Sequence, residues 1–116
     1  MRLTRVIVAC LVALLMGCAE PLPAEKTDYV GEWRAENMRL HIAKNGHVEY
    51  QRRTQNGNVS INAPLQRFEG DNFVVGIGMF NTTFVVASPP HRDGAVWRMT
   101  VDGVDLVRQD PGAIQT

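Results

Sequence analysis

Polar and apolar residues alternate along short stretches of the chain between Asp28 and Gln109, and turn-forming residues separate these stretches. Alternation with a period of two is typical of half-buried β-strands, and no stretch in this span keeps the period of an amphipathic helix. The pattern therefore predicts an all-β domain over residues 28–109.

The first two turns can be tested by register, because side chains that oppose each other across antiparallel strands lie on the same face. A two-residue turn at 36–37 pairs Trp33 with Leu40, and a three-residue loop at 44–46, closed by a glycine, pairs Leu40 with Tyr50. Each pair is apolar or aromatic. Both turns are therefore consistent with one buried face.

The Asp-Gly turn at 102–103 is the strongest hairpin signal in the chain. It pairs Met99 with Leu106 and Trp97 with Arg108. Arg108 is thereby predicted to lie on the apolar face, beside an indole.

A further Asn-Gly turn at 56–57 predicts that Tyr50 faces Ala63 and that Arg52 faces Ile61. In this register Arg52 is the one charged residue in an otherwise apolar inward row. Its position close to the turn predicts that its head group reaches water at the mouth of the barrel.

The alternation changes phase in the next strand, because Phe68 opposes Phe73 across a turn at 70–71 whereas Leu65 has the other parity. A β-bulge between residues 64 and 67 supplies the extra residue. Phe73, Val75 and Ile77 are then predicted to point inward.

Phe84 and Val86 form another inward row, and the segment SPPHRDG at 88–94 is predicted to be a loop. The whole pattern gives about eight short strands in meander order. We therefore predict a small antiparallel up-and-down barrel, whose closure removes exposed strand edges. Eight strands leave an interior only just wide enough for side chains, so its bulky inward residues predict a filled barrel.

Gly31-x-Trp33 on the first strand, together with Arg108 on the last, resembles the pattern of the calycins, the group that contains lipocalins and fatty-acid-binding proteins. The resemblance implies a lipocalin-like barrel in which the arginine lies over the tryptophan and shuts one end. The chain is shorter than a lipocalin and lacks both its C-terminal helix and the helical lid of fatty-acid-binding proteins.

Residues 1–17 carry two arginines before a short apolar run, which is the layout of a secretory signal peptide and is too short for a membrane-spanning helix. The segment Leu15-Met16-Gly17-Cys18 resembles the lipobox of bacterial lipoproteins. The resemblance implies cleavage before Cys18 and attachment of diacylglycerol and a further acyl chain to that residue. Because Ala19 follows in place of aspartate, it also implies the outer membrane, with the domain facing the periplasm.

The Pro-, Glu- and Lys-bearing residues 18–27 are predicted to be a lipidated tether, and residues 110–116 a disordered tail. Loss of the signal peptide leaves ten basic against twelve acidic residues, a net charge of −2, so no basic field attracts nucleic acid. It also leaves no cysteine besides Cys18, so the domain depends on packing without a disulfide.

Arg108 with Trp33 and Trp97 is interpreted first as a structural plug that closes the barrel. The alternative joins Arg108 to Arg52 and Tyr50 as a clamp for the carboxylate or phosphate head of an amphiphile.

Met79 and Phe80 lie at a predicted loop tip, where they either cap the open end of the barrel or form a surface for a protein partner. The histidines show no shared face with a third ligand, so neither a metal nor another cofactor is expected. No serine lies in a nucleophile elbow, so no enzymatic activity is predicted.

The leading hypothesis is therefore a lipid-anchored envelope protein that acts by non-catalytic binding, through a protein partner. The alternatives are a lipocalin-like carrier of a small amphiphilic or apolar ligand and an envelope inhibitor of a protease or lysozyme.

Overall fold

The computed structural model describes residues 22–109. Within them a short 3₁₀ helix (Ala24–Tyr29) precedes nine strands. The strands are β1 (Gly31–Arg34), β2 (Met38–Ile42), β3 (His47–Thr54), β4 (Gly57–Glu69), β5 (Asn72–Ile77), β6 (Phe80–Phe84), β7 (Val86–Asp93), β8 (Val96–Val101) and β9 (Val104–Gln109). The predicted signal peptide, Cys18 and residues 110–116 lie outside the described residues.

All nine strands belong to one antiparallel sheet in the order β6-β5-β4-β3-β2-β1-β9-β8-β7. The sheet curls into a half-barrel, which is compatible with a small up-and-down barrel. The all-β prediction is confirmed. The two outermost strands, β6 and β7, are consecutive in the chain and are separated by Val85 alone.

Polar side chains hold the chain where it passes from β6 to β7. Val85 exchanges two hydrogen bonds with Asp102 in the β8–β9 turn: its N–H donates to the carboxylate (2.9 Å) and its carbonyl accepts from the Asp102 N–H (2.8 Å). The Val86 N–H donates to the Asn72 side chain at the start of β5 (2.8 Å). The two ends of the sheet are therefore joined through a bent segment, without a turn.

The predicted registers around three turns are confirmed. Trp33 pairs with Leu40, Leu40 with Tyr50, and Met99 with Leu106. In the β8–β9 turn Asp102 and Gly103 both have positive φ, as a type I′ turn requires. Local turn chemistry therefore set these registers.

The register of the β3–β4 hairpin was predicted wrongly. Gly57 pairs with Thr54, so the turn is at 55–56, and Tyr50 faces Ile61 where Ala63 was expected. The shift moves each pairing by two residues and leaves every side chain on its predicted face. Alternation alone could not distinguish the two registers. The predicted bulge is present between Leu65 and Arg67.

Two further predictions were wrong. Residues 88–93 belong to β7, where the prolines fit because this strand is at the end of the sheet and its pairing skips 89 and 90. Ile77 is 69% exposed, because the pairing of β5 with β4 stops at Val75 and the hairpin extends beyond the core. Phe73 and Val75 do point into the core as predicted.

Candidate functional site

Arginines and tryptophans alternate across four neighbouring strands on the inner face of the sheet. Arg92 of β7 pairs with Trp97 of β8, and Arg108 of β9 pairs with Trp33 of β1. The Arg108 guanidinium carbon lies 4.6 Å from the Trp97 ring centroid and 5.7 Å from that of Trp33. The Arg92 guanidinium carbon lies 6.0 Å from the Trp97 centroid. We call these four residues the arginine–tryptophan ladder.

Gly31 makes room for Arg108 in the ladder. A Cβ at this position would lie 2.8 Å from Cδ and 3.1 Å from Cγ of Arg108. Gly31 also has a φ of +143°, which residues with a side chain rarely adopt. The glycine therefore lets the aliphatic part of Arg108 cross the first strand.

The 3₁₀ helix covers this end of the half-barrel. The indole N–H of fully buried Trp33 donates to the Tyr29 carbonyl (2.9 Å), and the Tyr29 hydroxyl donates to the Asp71 carbonyl (2.8 Å). Lys26 donates to the Gly70 carbonyl (2.9 Å). Residues 24–27, assigned from sequence to the tether, thus lie in a helix bound to the β4–β5 turn.

Burial of the Tyr29 side chain and the negative charge of Asp71 raise the pKa of Tyr29 to about 12. The neutral hydroxyl donates a hydrogen bond that a phenolate could not donate. The packing that closes this end of the half-barrel therefore accounts for the raised pKa of Tyr29 without a bound ligand.

Aromatic rings fill the interior next to the helix. The Tyr29 ring contacts those of Phe68 and Phe73 at centroid distances of 5.0 and 6.1 Å. Phe73 stacks on Phe84 at 5.0 Å, and Phe84 meets Tyr50 edge-on at 4.9 Å. Among residues 22–109, the fully buried set is entirely hydrophobic. The inner face is therefore packed by side chains near this end.

The three residues considered as an anion clamp are not brought together. Tyr50 and Arg52 border a hollow of about 590 Å³ at the β3–β4 hairpin, with Val59 beside them. Arg108 lies in the same cross-strand row as Tyr50, but Trp33 and Leu40 stand between them. Three strand spacings amount to roughly 14 Å. Arg108 therefore stacks on indoles, while Arg52 is left at the mouth.

The β5–β6 hairpin presents an apolar tip to solvent. Met79 is 86% exposed and Phe80 is 82% exposed, and Ile77 pairs with Phe80 beside them. Gln66 and Asn81 hydrogen-bond to the Gly78 carbonyl (3.0 and 3.5 Å) and so hold the turn. At these exposures Met79 and Phe80 do not cap the core.

Ser88 and His91 meet on β7, a pair that sequence analysis did not combine. The His91 Nδ1 lies 3.4 Å from the Ser88 hydroxyl and 2.9 Å from the Pro89 carbonyl. Because a carbonyl only accepts, this nitrogen carries the proton and cannot take one from the serine. Within the described span, no group of three or more His, Cys, Asp or Glu side chains is arranged to hold a metal ion.

The sequence also failed to predict two contributors to the closed end, Arg92 and Tyr29. The signal for Arg92 was present, since a two-residue turn at 94–95 places it opposite Trp97. Tyr29 had no comparable signal, because its contacts with Phe68 and Asp71 join segments about 40 residues apart.

Comparison of the chain with protein-family models, with curated protein sequences and with solved structures gave no match. Over residues 22–109, no helix combines the length and the apolar character needed to span a bilayer.

Proposed function

We propose that this protein is a lipid-anchored bacterial envelope protein that acts by non-catalytic binding to a protein partner. The observation that carries the proposal is the β5–β6 hairpin, whose Met79 and Phe80 side chains are almost fully exposed. Exposed apolar side chains on a held turn resemble the anchors that fill a partner's pocket. The packed interior near the 3₁₀ helix favours a surface function over a deep ligand site.

The anchor is proposed from the lipobox resemblance. Two or more acyl chains on Cys18 would hold the protein firmly at the membrane, because each buried methylene contributes about 0.8 kcal/mol. We place the protein at the outer membrane, facing the periplasm. Replacement Cys18→Ser is expected to move it from the membrane fraction to the soluble fraction, and continued membrane association would contradict the lipid anchor.

Site-specific cross-linking in the native envelope tests the partner. A photoreactive phenylalanine analogue at position 80 of the full-length protein should give one discrete cross-linked product, since this side chain would lie in the partner's pocket. The same analogue at the exposed position Asp105 on β9 serves as the control.

Added purified wild-type protein should compete for the partner and reduce the amount of cross-linked product, whereas the added Phe80→Ser variant should leave that amount unchanged. The Val85→Ser variant, which removes another exposed apolar side chain, should compete as well as wild type. Equal products at positions 80 and 105, or competition by Phe80→Ser, would count against this surface.

A second function is favoured by the hollow beside Tyr50 and Arg52, whose volume of about 590 Å³ lies in the range of small-ligand sites. There Arg52 would pair with the acidic head of an amphiphile, whose chain would contact Val59. Native mass spectrometry of the full-length protein should then show a bound lipid that the Arg52→Gln variant loses. A ligand-free wild-type protein would exclude this carrier function.

A further inference from the structure

A second surface lies on the side of the sheet that faces away from the core. Four consecutive antiparallel strands contribute to it, because Arg34 of β1 pairs with Arg39 of β2, Arg39 with Gln51 of β3, and Gln51 with Ser60 of β4. These residues therefore share one face. One further pair, Arg53 with Asn58, continues the same face toward the β3–β4 turn.

These residues line a groove of about 560 Å³, and two residues of the inward row, Met38 and Arg52, also border it. We call it the arginine groove and define it by its charged and donor side chains, Arg34, Arg39, Arg52, Arg53, Asn58 and Ser60. It is open to solvent and lies apart from the β5–β6 hairpin, because β5 and β6 contribute no residue to its lining.

The groove holds more positive than negative charge. Arg34 and Arg39 oppose each other directly, an arrangement that repels. One carboxylate, Glu32, serves both: Arg39 Nε lies 2.5 Å from one oxygen and Arg34 Nη2 lies 3.5 Å from the other. Burial acts to raise the pKa of Glu32, but the hydrogen bond from Arg39 and the neighbouring positive charges outweigh it and lower the pKa. Glu32 is therefore ionised, and its charge is already shared.

Arg52 and Arg53 form no salt bridge with any residue in the described span of the chain. Glu36 is the one acidic residue of the groove lining. Three guanidinium groups on the outward face, together with that of Arg52 at the border of the groove, thus stand against two carboxylates, those of Glu36 and Glu32. The surplus of two positive charges is concentrated here, although the whole chain has a formal net charge of zero.

Guanidinium groups match oxyanions through paired N–H donors, and the Asn58 amide and Ser60 hydroxyl supply neutral donors beside them. Neighbouring strands are about 4.8 Å apart, so donors spread over four strands cover roughly 14 Å, more than one oxyanion spans. We infer that the arginine groove binds a ligand that carries two or more phosphate groups. This site is independent of the partner surface proposed above.

Inorganic pyrophosphate is the probe for the test, added to the full-length protein in neutral detergent and followed by calorimetric titration. The Arg53→Gln variant should bind it roughly tenfold more weakly, because one charge-assisted bidentate contact is lost. The Glu36→Gln variant should bind it more tightly, because a repelling carboxylate is removed. Arg67→Gln is the matched control, since Arg67 is an exposed arginine of β4 that pairs with Glu69 outside the groove.

A second titration identifies the source of the phosphate. Soluble short-chain cardiolipin, an anionic lipid with two phosphate groups, is compared with short-chain phosphatidylcholine and tests a lipid headgroup. Binding of pyrophosphate together with the anionic lipid assigns a headgroup, and binding of pyrophosphate alone assigns a soluble phosphate ligand; both support the inference. Absence of pyrophosphate binding to wild type would overturn it. Equal losses of pyrophosphate affinity in Arg53→Gln and Arg67→Gln would also overturn it, because the net charge of the protein would then explain the binding without the groove.

Discussion

Replacement of Arg108 tests the closed end of the half-barrel most directly. In the Arg108→Ala variant both indoles lose the guanidinium, which lies 4.6 Å from the Trp97 centroid and 5.7 Å from the Trp33 centroid. Each such contact contributes about 0.5–1 kcal/mol at a partly exposed site. The variant also loses the aliphatic part of Arg108 that crosses Gly31, and these two partly buried methylenes account for a further loss of roughly 1 kcal/mol in the free energy of unfolding.

The free energy of unfolding should therefore fall by roughly 2–3 kcal/mol in Arg108→Ala. The Arg108→Met variant keeps most of the apolar stem and removes the charge, so it should lose only about 1–2 kcal/mol. In a domain of this size each kcal/mol corresponds to a change in Tm of about 4–8 °C. The difference between the two variants separates stem packing from cation–π attraction.

Urea unfolding of the full-length protein, followed by tryptophan fluorescence, gives these values, since the chain has two tryptophans and both belong to the ladder. Circular dichroism of the same samples checks that the fold is retained. Arg67→Ala, an exposed arginine outside the ladder, is the control. If Arg108→Ala unfolds within about 0.5 kcal/mol of wild type, the stacking argument is wrong. If Arg108→Met matches wild type, the charge contributes nothing.

Two further predictions concern glycine spacing and alkaline pH. Gly76→Ala would place a Cβ 2.2 Å from the Phe80 carbonyl oxygen, so the β5–β6 hairpin must shift and the free energy of unfolding should fall by about 2 kcal/mol or more. Gly94→Ala, which has open space around its Cβ, should lose about 1–2 kcal/mol by the same urea assay; equal losses would remove the steric explanation. The raised pKa of Tyr29 means that the folded protein keeps this proton to about pH 12, whereas the unfolded chain loses it near pH 10. The contribution of the Tyr29 hydroxyl to the free energy of unfolding is therefore complete below pH 10 and is lost as the pH rises to 12. Tyr29→Phe should flatten this part of the curve of urea midpoint against pH, and an unchanged slope in this variant would refute the assignment.

Much of the strand pairing could be predicted because each hairpin is a local structure. The Asp-Gly pair at 102–103 adopts positive φ at both residues, and this alone places Met99 opposite Leu106. The same turn placed Trp97 beside Arg108, so the stacked pair followed from the sequence. The sequence placed Met79 and Phe80 at a loop tip but did not decide whether they cap the barrel, and only their exposure in the structure excludes the cap.

The arginine groove could not be predicted as a site, although its residues are visible in the sequence. Alternation marks Arg34, Arg39 and Arg53 as outward residues, which in general are solvated separately. Only the order of four strands places them side by side, and only the side-chain geometry shows that Glu32 is shared between two of them. The surplus of positive charge in the groove therefore arises only when the four strands are assembled into the sheet.

By itself, the sequence determined the fold class, the inward face of most strands and the pairing across its clearest turns, because these depend on side chains a few residues apart. Tertiary structure decided where the 3₁₀ helix lies, how Val85 joins the ends of the sheet, and why Ile77 is exposed. It also selected between two β3–β4 registers with identical inward faces. These outcomes depend on contacts between segments far apart in the chain, whose relative positions exist only once the whole sheet has curled.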